Sequence, residues 1–362
     1  MTENATTTSH KKICCCILIS MNIQKNEPLS AHSTMRLGGD ADYMVEVDTM
    51  ESLREAANWA AERSLPLRII GAGSNIIWRD EGFKGLLILN KISGFEKVGE
   101  DDKTATYKIG AGENWDATVE KTALLNLYGI ECLSAIPGMV GATPVQNVGA
   151  YGQDMSQTLV ELETYDMLEK RFVVLQGDDC GFGYRTSRFK GVDNGRFLIS
   201  SITLRLLRNP PASLWSHTLR EYLEEHNIQA RSAMTFRNAI IAIRAEKLPN
   251  PNKVANTGSF FANPVISNKR LEEIRKEYPD MPAWEIGPDS QKLAAAWLIE
   301  AAGFKGKKDD ETGMSTWKNH ALVLVNENAK STNDLMKFQQ KIKDRVEEMF
   351  GIELEQEPEL LP

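Results

Sequence analysis

The sequence has little cysteine, little histidine, no excess of positive charge and no apolar run long enough to cross a membrane. Its five cysteines are Cys14, Cys15, Cys16, Cys132 and Cys180. Three are adjacent and two lie far apart, which matches neither zinc-ligand spacing nor a disulfide framework. Reduced thiols in a reducing compartment are expected. Lysine and arginine number 42 against 50 aspartates and glutamates, a formal charge of −8. That excludes a general nucleic-acid surface, which needs a basic excess. It leaves room for a few local cations to hold a small anionic ligand. The apolar run Ile13 to Met21 is about half of the ~20 residues needed to span a bilayer. It follows Lys11-Lys12 as a signal-peptide core would, yet the next residues are mostly polar and offer no small-residue cleavage site. The expectation is a cytoplasmic chain without membrane attachment. Residues 1–21 then form a disordered tail or an over-called start, with Met21 as the initiator.

What is present is a globular composition. Hydrophobic residues make up 42% of 362, enough for a substantial core and for two or three domains. Ala41 to Val47 reads as a strand. Asp48 and Glu51 read as an acidic capping box before a helix over 50–63. Strands are expected at Pro66 to Ile70 and over 84–90, and a helix over 115–128 with Gly129 as its stop. Residues 159–207 are β-rich, and Asn209-Pro210-Pro211 reads as a linker. Helices follow, one around Leu293 to Ala301 closed by Gly303. Another runs from Leu335 to Phe350, opened by Ser331 with Asp334. The pattern predicts an α+β fold with a first lobe over 22–207, in subdomains of about 22–92 and 93–207. A C-terminal α/β lobe over 208–362 is expected to form a ligand cleft with it.

Four segments carry chemistry. The first is a strand running into Gly71-Ala72-Gly73-Ser74-Asn75, where glycines let backbone N–H groups approach an anion. A dinucleotide-binding fingerprint is rejected, because Ile76 takes the third glycine position and no helix follows. A plain tight turn is the alternative. The second, Ile136 to Gly152, holds four glycines and two prolines in 17 residues. It could wrap a flat or phosphorylated ligand through its backbone, or be a structural Ω-loop. The third is Gly183-Tyr184-Arg185. Its arginine is suited to clamping a carboxylate or, equally, to a surface ion pair. The fourth is Arg244 to Pro249, followed by Gly258-Ser259-Phe260-Phe261-Ala262-Asn263-Pro264. None of the five histidines is near it in sequence, so a hydrolase triad has no support. On that segment alone, a buried or capping Ser259 is the stronger reading.

Taken in order, GAGSN, GAGEN, IPGMVGATPVQNVGAYG, FGYR, RAEKLP, GSFFANP, KLAAAWLIEAAGFKG and FGIELEQE resemble the UDP-N-acetylenolpyruvoylglucosamine reductases, also called UDP-N-acetylmuramate dehydrogenases. The form resembled is the one with an additional substrate-lobe segment. The match spans about residues 31–357. It implies a vanillyl-alcohol-oxidase-type FAD-binding lobe, a substrate lobe, NADPH as hydride donor and a UDP-sugar substrate in peptidoglycan precursor synthesis. A monomer is expected. Another flavin oxidoreductase of that fold, or a non-catalytic flavin-binding protein, is the competing reading.

The resemblance also implies roles. Arg185, Ser259 and Glu357 would be catalytic: Arg185 holding the substrate carboxylate, Ser259 giving a proton to carbon, Glu357 assisting at the carboxylate. Tyr184, Lys247 and Asn263 would contact substrate. Gly71, Gly73, Ser74, Asn75, Pro137, Gly138, Gly141, Ala142, Asn147, Gly149 and Tyr151 would cradle FAD. Three departures stand out. No tyrosine occupies the Leu214-Trp215-Ser216-His217 loop, leaving Trp215, His217 or Tyr222 as substitutes. Ala262 replaces a lysine often seen in that motif. The chain ends soon after Glu357, which is preferred over Glu359 because it aligns without a gap.

Overall fold

The computed structural model describes residues 21–211, 216–229 and 231–362. The expectations for residues 1–20 and for Trp215 fall outside them. The first sheet has four strands in the order Gln24–Pro28, Asp40–Val47, Phe83–Asn90, Leu67–Ile70. The last three are mutually parallel. Phe83–Asn90 is central and almost wholly buried, which is why it reads FKGLLILN rather than alternating. Helix α1 (Met50–Glu62) packs Leu53, Ala56, Ala57 and Ala60 onto this sheet.

The second sheet is antiparallel, in the order Arg171–Gln176, Leu159–Asp166, Phe197–Leu207, Thr104–Gly110, Phe95–Glu100. It shares a core with α2 (Trp115–Leu124) through Ile109, Trp115, Val119, Leu162 and Ile202. The third core gathers Phe260, Phe261, Leu298, Leu324, Phe338 and Ile342. It lies between the sheet Ala255–Ser259, His320–Asn326, Met314–Trp317, Lys308–Asp309 and the helices α5 (Asn268–Arg275), α6 (Ala295–Ala301) and α7 (Thr332–Phe350). The C-terminal strand Glu359–Leu361 returns to pair in parallel with Ile76–Trp78. This ties the end of the chain to the first subdomain.

Three expectations change. The α1 cap is Thr49 with Ser52, one residue later than Asp48 with Glu51. Thr49 Oγ1 accepts from Ser52 N at 3.0 Å, and Ser52 Oγ accepts from Thr49 N at 3.1 Å. Hydroxyls one residue on complete the same reciprocal pattern. Helix α2 ends at Leu124, and Asn126 takes the left-handed position (φ 53°) expected of Gly129. Gly129 instead passes close to Thr158, where a Cβ would sit 2.8 Å from Cγ2.

The third change concerns the segment after the linker. Helices α3 (His217–Glu225) and α4 (Ala233–Lys247) bury Leu219, Leu223, Phe236 and Ile240 against Ala123, Tyr128 and Cys132. They pack on the second subdomain rather than joining the C-terminal core expected over 208–362. Helical periodicity reveals an apolar face but not its partner. Cys132 and Cys180 are buried and unpaired. Burial pushes both thiols up, Cys180 to about 11.

Candidate active site

A cavity of about 340 Å³ lies where the two subdomains meet the C-terminal core, within the range usual for small-molecule sites. Its floor is built by close backbone approach. Gly73 has φ 62°, and a Cβ there would sit 2.0 Å from the His32 carbonyl oxygen, so only glycine fits. A Cβ on Gly71 would come within 2.9 Å of Met139, because the two glycine-rich loops touch. Ser74 Oγ donates to the Pro137 carbonyl at 2.8 Å, and Asn75 Nδ2 donates to Gln146 Oε1 at 2.6 Å. These side chains therefore stitch the loops together. Gly141 lies against Ala111, where a Cβ would meet another at 2.5 Å. Gly71, Gly73, Ser74, Asn75, Pro137, Gly138, Gly141, Ala142 and Gly149 all line the cavity.

Two expected cradle residues do not. Asn147 is buried and turned away: Nδ2 donates to the Gly183 carbonyl at 3.2 Å, and Oδ1 accepts from Ser156 N at 3.0 Å. Tyr151 points to α4, where its hydroxyl bonds Arg244. Both sit in left-handed backbone, φ 49° and 51°. Their neighbours on the loop therefore face the cavity while they face the protein.

The reacting end is assembled from both halves of the chain. Arg185 sits at φ 55° in the short hairpin closed by Gly183 and Thr186. Its Nη1 donates to the Gly149 carbonyl at 2.8 Å, and its Nε lies 3.1 Å from Glu357 Oε1. That Nε is buried and meets Glu357 as an ion pair without hydrogen-bond alignment. Glu357 is buried, and its backbone N–H donates to the Phe260 carbonyl at 2.9 Å. This contact lays it beside Ser259, the last residue of the Ala255–Ser259 strand. Arg185, Ser259 and Glu357 all border the cavity. Glu359 borders it too but is held elsewhere. Its backbone N–H donates to the Asn75 carbonyl at 3.0 Å, and Oε1 accepts from Asn194 at 3.1 Å.

Tyr184 and Asn263 lie in an adjoining cleft that shares Arg185 and Glu357. Tyr184 is half exposed, with Lys292 Nζ 5.0 Å above its ring. Asn263 Oδ1 accepts from Ala295 N at 3.0 Å, positioning the start of α6. Lys247 does not join them. It is exposed at the end of α4, beside His320, and lines neither cavity. Of the substitutes for the missing loop tyrosine, His217 is exposed and paired with Glu221, while Tyr222 stacks on His226.

Four wall residues were given no role by the motif reading. Arg244 is half-buried, with its Nε buried and unpartnered. Burial pulls its pKa down from the ordinary value, and Tyr151 opposes that. Lys190 Nζ donates to the Glu357 carbonyl at 3.3 Å. Gln146 holds Asn75, and Arg68 stands on the strand leading into the first loop. Arg244 was legible three residues before Lys247 on the same helix, one turn away.

Comparison with known proteins gives one answer. The family model for the UDP-N-acetylenolpyruvoylglucosamine reductase C-terminal domain matches residues 250–361, and an FAD-binding-domain model matches residues 41–169. The reductase of Ralstonia nicotianae is 36% identical over 91% of this chain and 97% of its own length. That of Alcanivorax borkumensis is 38% identical over 92% and 95%. That of Amoebophilus asiaticus is 35% identical over 94% and 100%. The crystal structure of UDP-N-acetylenolpyruvylglucosamine reductase from Thermus caldophilus shares the fold, with a TM-score of 0.66 at 22% identity. It covers 94% of this chain and 100% of that one. With more than a third of its residues identical to such relatives over nine-tenths of its length, this α+β chain belongs to the UDP-N-acetylenolpyruvoylglucosamine reductase family.

Proposed function

We propose that this chain reduces UDP-N-acetylglucosamine enolpyruvate to UDP-N-acetylmuramate with NADPH and bound FAD, and that Arg185, Ser259 and Glu357 carry the reacting end. The observation that carries this reading is the Arg185–Glu357 pair at 3.1 Å, set beside Ser259 on a cavity floored by two glycine-rich loops. The residues present fit FAD. The floor approaches through backbone at Gly71, Gly73 and Gly141, as a diphosphate requires. Buried polar atoms of Arg68, Arg244 and Thr257 around the same cavity lack protein partners. When bound, FAD supplies a two-electron carrier between NADPH and the enolpyruvyl double bond.

The protein's own part is electrostatic and proton chemistry. Net reduction adds a hydride to the terminal vinyl carbon and a proton to the carbon beside the carboxylate. Negative charge develops on that carboxylate as the hydride arrives. Arg185, paired with Glu357 on the cavity wall, is placed to hold it, stabilisation of the kind that dominates many enzymes. Glu357 stays beside the same guanidinium and completes the carboxylate site. Ser259 gives its hydroxyl proton to the carbon. Gly258, at φ 73° with open space around it, lets the strand end present that hydroxyl to the cavity. Tyr184 and Asn263, in the adjoining cleft, face the sugar nucleotide.

The three reacting residues come from one chain, so the site needs no second copy, consistent with a monomer. No helix among the described residues is long and apolar enough to cross a membrane. NADPH and a nucleotide sugar as reactants favour the cytoplasm, with the product feeding peptidoglycan synthesis and hence cell shape and division. The test is the spectrum of the purified protein. A bound flavin that bleaches with NADPH, and recovers on adding the enolpyruvyl substrate without oxygen, is expected. A colourless protein that binds no FAD contradicts the reading.

A further inference from the structure

Helix α2 begins against the second glycine-rich loop. The backbone N–H of Trp115 donates to the Gly138 carbonyl at 3.1 Å. One residue on, Asp116 Oδ1 accepts from Ala135 N at 2.6 Å. Ala135 sits at φ 57°, a left-handed conformation that a non-glycine residue keeps only when its surroundings hold it. It leads directly into Ile136, Pro137 and Gly138 on the cavity wall. The same carboxylate takes a fork from α4. Arg237 Nη1 donates to Oδ1 at 2.5 Å and Nη2 to Oδ2 at 3.0 Å. Arg237 is buried and Asp116 partly exposed. Glu120, one turn along α2, stands 3.9 Å from Nη2 as a more exposed second carboxylate.

Arg237 and Arg244 are close to two full turns apart on α4, so they lie on one face of the helix with about 10 Å of rise between them. Arg244 lines the cavity, and its side chain bonds the Tyr151 hydroxyl. Asp116 also reaches it electrostatically. Burial pushes the Asp116 carboxyl up, yet Arg237 and the Ala135 N–H hold it below the usual range, and Arg244 adds to that effect. The apolar packing of α4 on Ala123, Tyr128 and Cys132 is non-directional. The fork, by contrast, fixes both the direction and the register of the helix against α2. Two parts of the cavity wall, the second loop and the Arg244 turn of α4, therefore meet at a carboxylate that lines neither cavity itself. We propose that Asp116 is a positioning residue: through its pair with Arg237 it sets Arg244 in the cavity wall, and by that route it governs the affinity for FAD. This rests on the reading of the cavity as an FAD site.

The experiment uses the holoenzyme, from which dilution releases FAD, whose fluorescence gives its dissociation constant. Asp116→Asn keeps an oxygen for Ala135 N and loses the paired charge. It should weaken FAD by about 3- to 30-fold, the range for a residue acting at one remove. Arg244→Met removes the group acted through and should weaken FAD by about 10- to 100-fold, as loss of a charged donor does. The double variant decides: adding Asp116→Asn to Arg244→Met should cost no more than about twofold further. Arg237→Lys keeps the cation without the fork and should lose less than Arg237→Met, while Glu120→Gln should stay within about twofold of wild type. If Asp116→Asn does not fold, as judged by thermal melting, Arg237→Lys takes its place in the same cycle. Unchanged FAD affinity in Asp116→Asn, or an equal loss with and without Arg244, would overturn the assignment and leave the pair as scaffold. A wild-type protein that binds no FAD would instead overturn the reading of the cavity, and the assignment with it.

Discussion

At Arg185 the backbone sits in left-handed space, φ 55°, which costs a non-glycine residue roughly 1–2 kcal/mol. The hairpin is held there by the bonds from Arg185 to Gly149 and from Asn147 to Gly183. The strain coincides with the residue whose guanidinium pairs with Glu357. Glu357 and Glu359 are two residues apart but differ in what they touch, one facing Arg185 and the other tied to Asn194 and Asn75. Glu357→Gln should lower turnover about 10²-fold or more, by analogy with loss of one stabilising group in a preorganised site, while NADPH still bleaches the flavin. Glu359→Gln should stay within a few-fold. Steady-state kinetics of both variants decides, and the reverse ranking would move the role to Glu359. At this scale the motifs located residues but not their directions. Asn147 and Tyr151 stand inside a cavity-lining loop yet turn into the protein, because a left-handed φ redirects the side chain. Lys247 lies one turn along α4 from Arg244, and only the helix's docking on Ala123, Tyr128 and Cys132 decides which of the two meets the cavity.

Elements that carry their own caps were legible. Ser331 and Asp334 close a reciprocal capping box on α7, each accepting a backbone N–H at 3.1 Å. Strands such as Phe83–Asn90 announced themselves by an unbroken apolar run. What sequence could not show was contact between distant elements, above all α3 and α4 on the second subdomain and the last strand on Ile76–Trp78. The first glycine loop is the element most sensitive to change. Gly73→Ala combines a positive φ with a Cβ inside contact distance of the His32 carbonyl. A loss of about 2–5 kcal/mol is expected from strain plus overpacking, visible as a lower melting temperature and reduced flavin content. An unchanged melt would mean that the loop is not packed as described. At the end of the Leu159–Asp166 strand, Arg196 donates to both oxygens of Asp166, from Nη2 at 2.7 Å and Nε at 3.2 Å. Those bonds hold the Asp166 carboxyl below the usual range. The folded value lies below the unfolded one of about 3.9. The stabilisation is therefore present in full above that and lost as pH falls through the folded value. Arg196→Met should cost about 1.5–3 kcal/mol near neutral pH, and thermal melts of the two proteins should converge as pH falls below the ordinary aspartate range.

Across the whole molecule, the cavity divides the labour between segments far apart in the chain. Residues of the 71–75 and 137–149 loops form the cavity floor, Arg185 comes from a hairpin on the second subdomain, and Ser259 and Glu357 come from the C-terminal half. The C-terminal strand Glu359–Leu361 is tied to the first subdomain by its pairing with Ile76–Trp78, which holds Glu357 beside the floor. One consequence separates the two halves of the reaction. Accepting hydride from NADPH requires only that the flavin be held and reached. Reduction of the enolpyruvyl group also requires a proton at carbon. The direct measurement is stopped-flow absorbance of the two half-reactions in Ser259→Ala. Flavin bleaching by NADPH should proceed at nearly the wild-type rate, while reoxidation by the enolpyruvyl substrate should slow about 10²- to 10⁴-fold, the usual contribution of general acid catalysis. Slowed bleaching with substrate-driven reoxidation left intact would contradict the assignment of Ser259 as the proton donor.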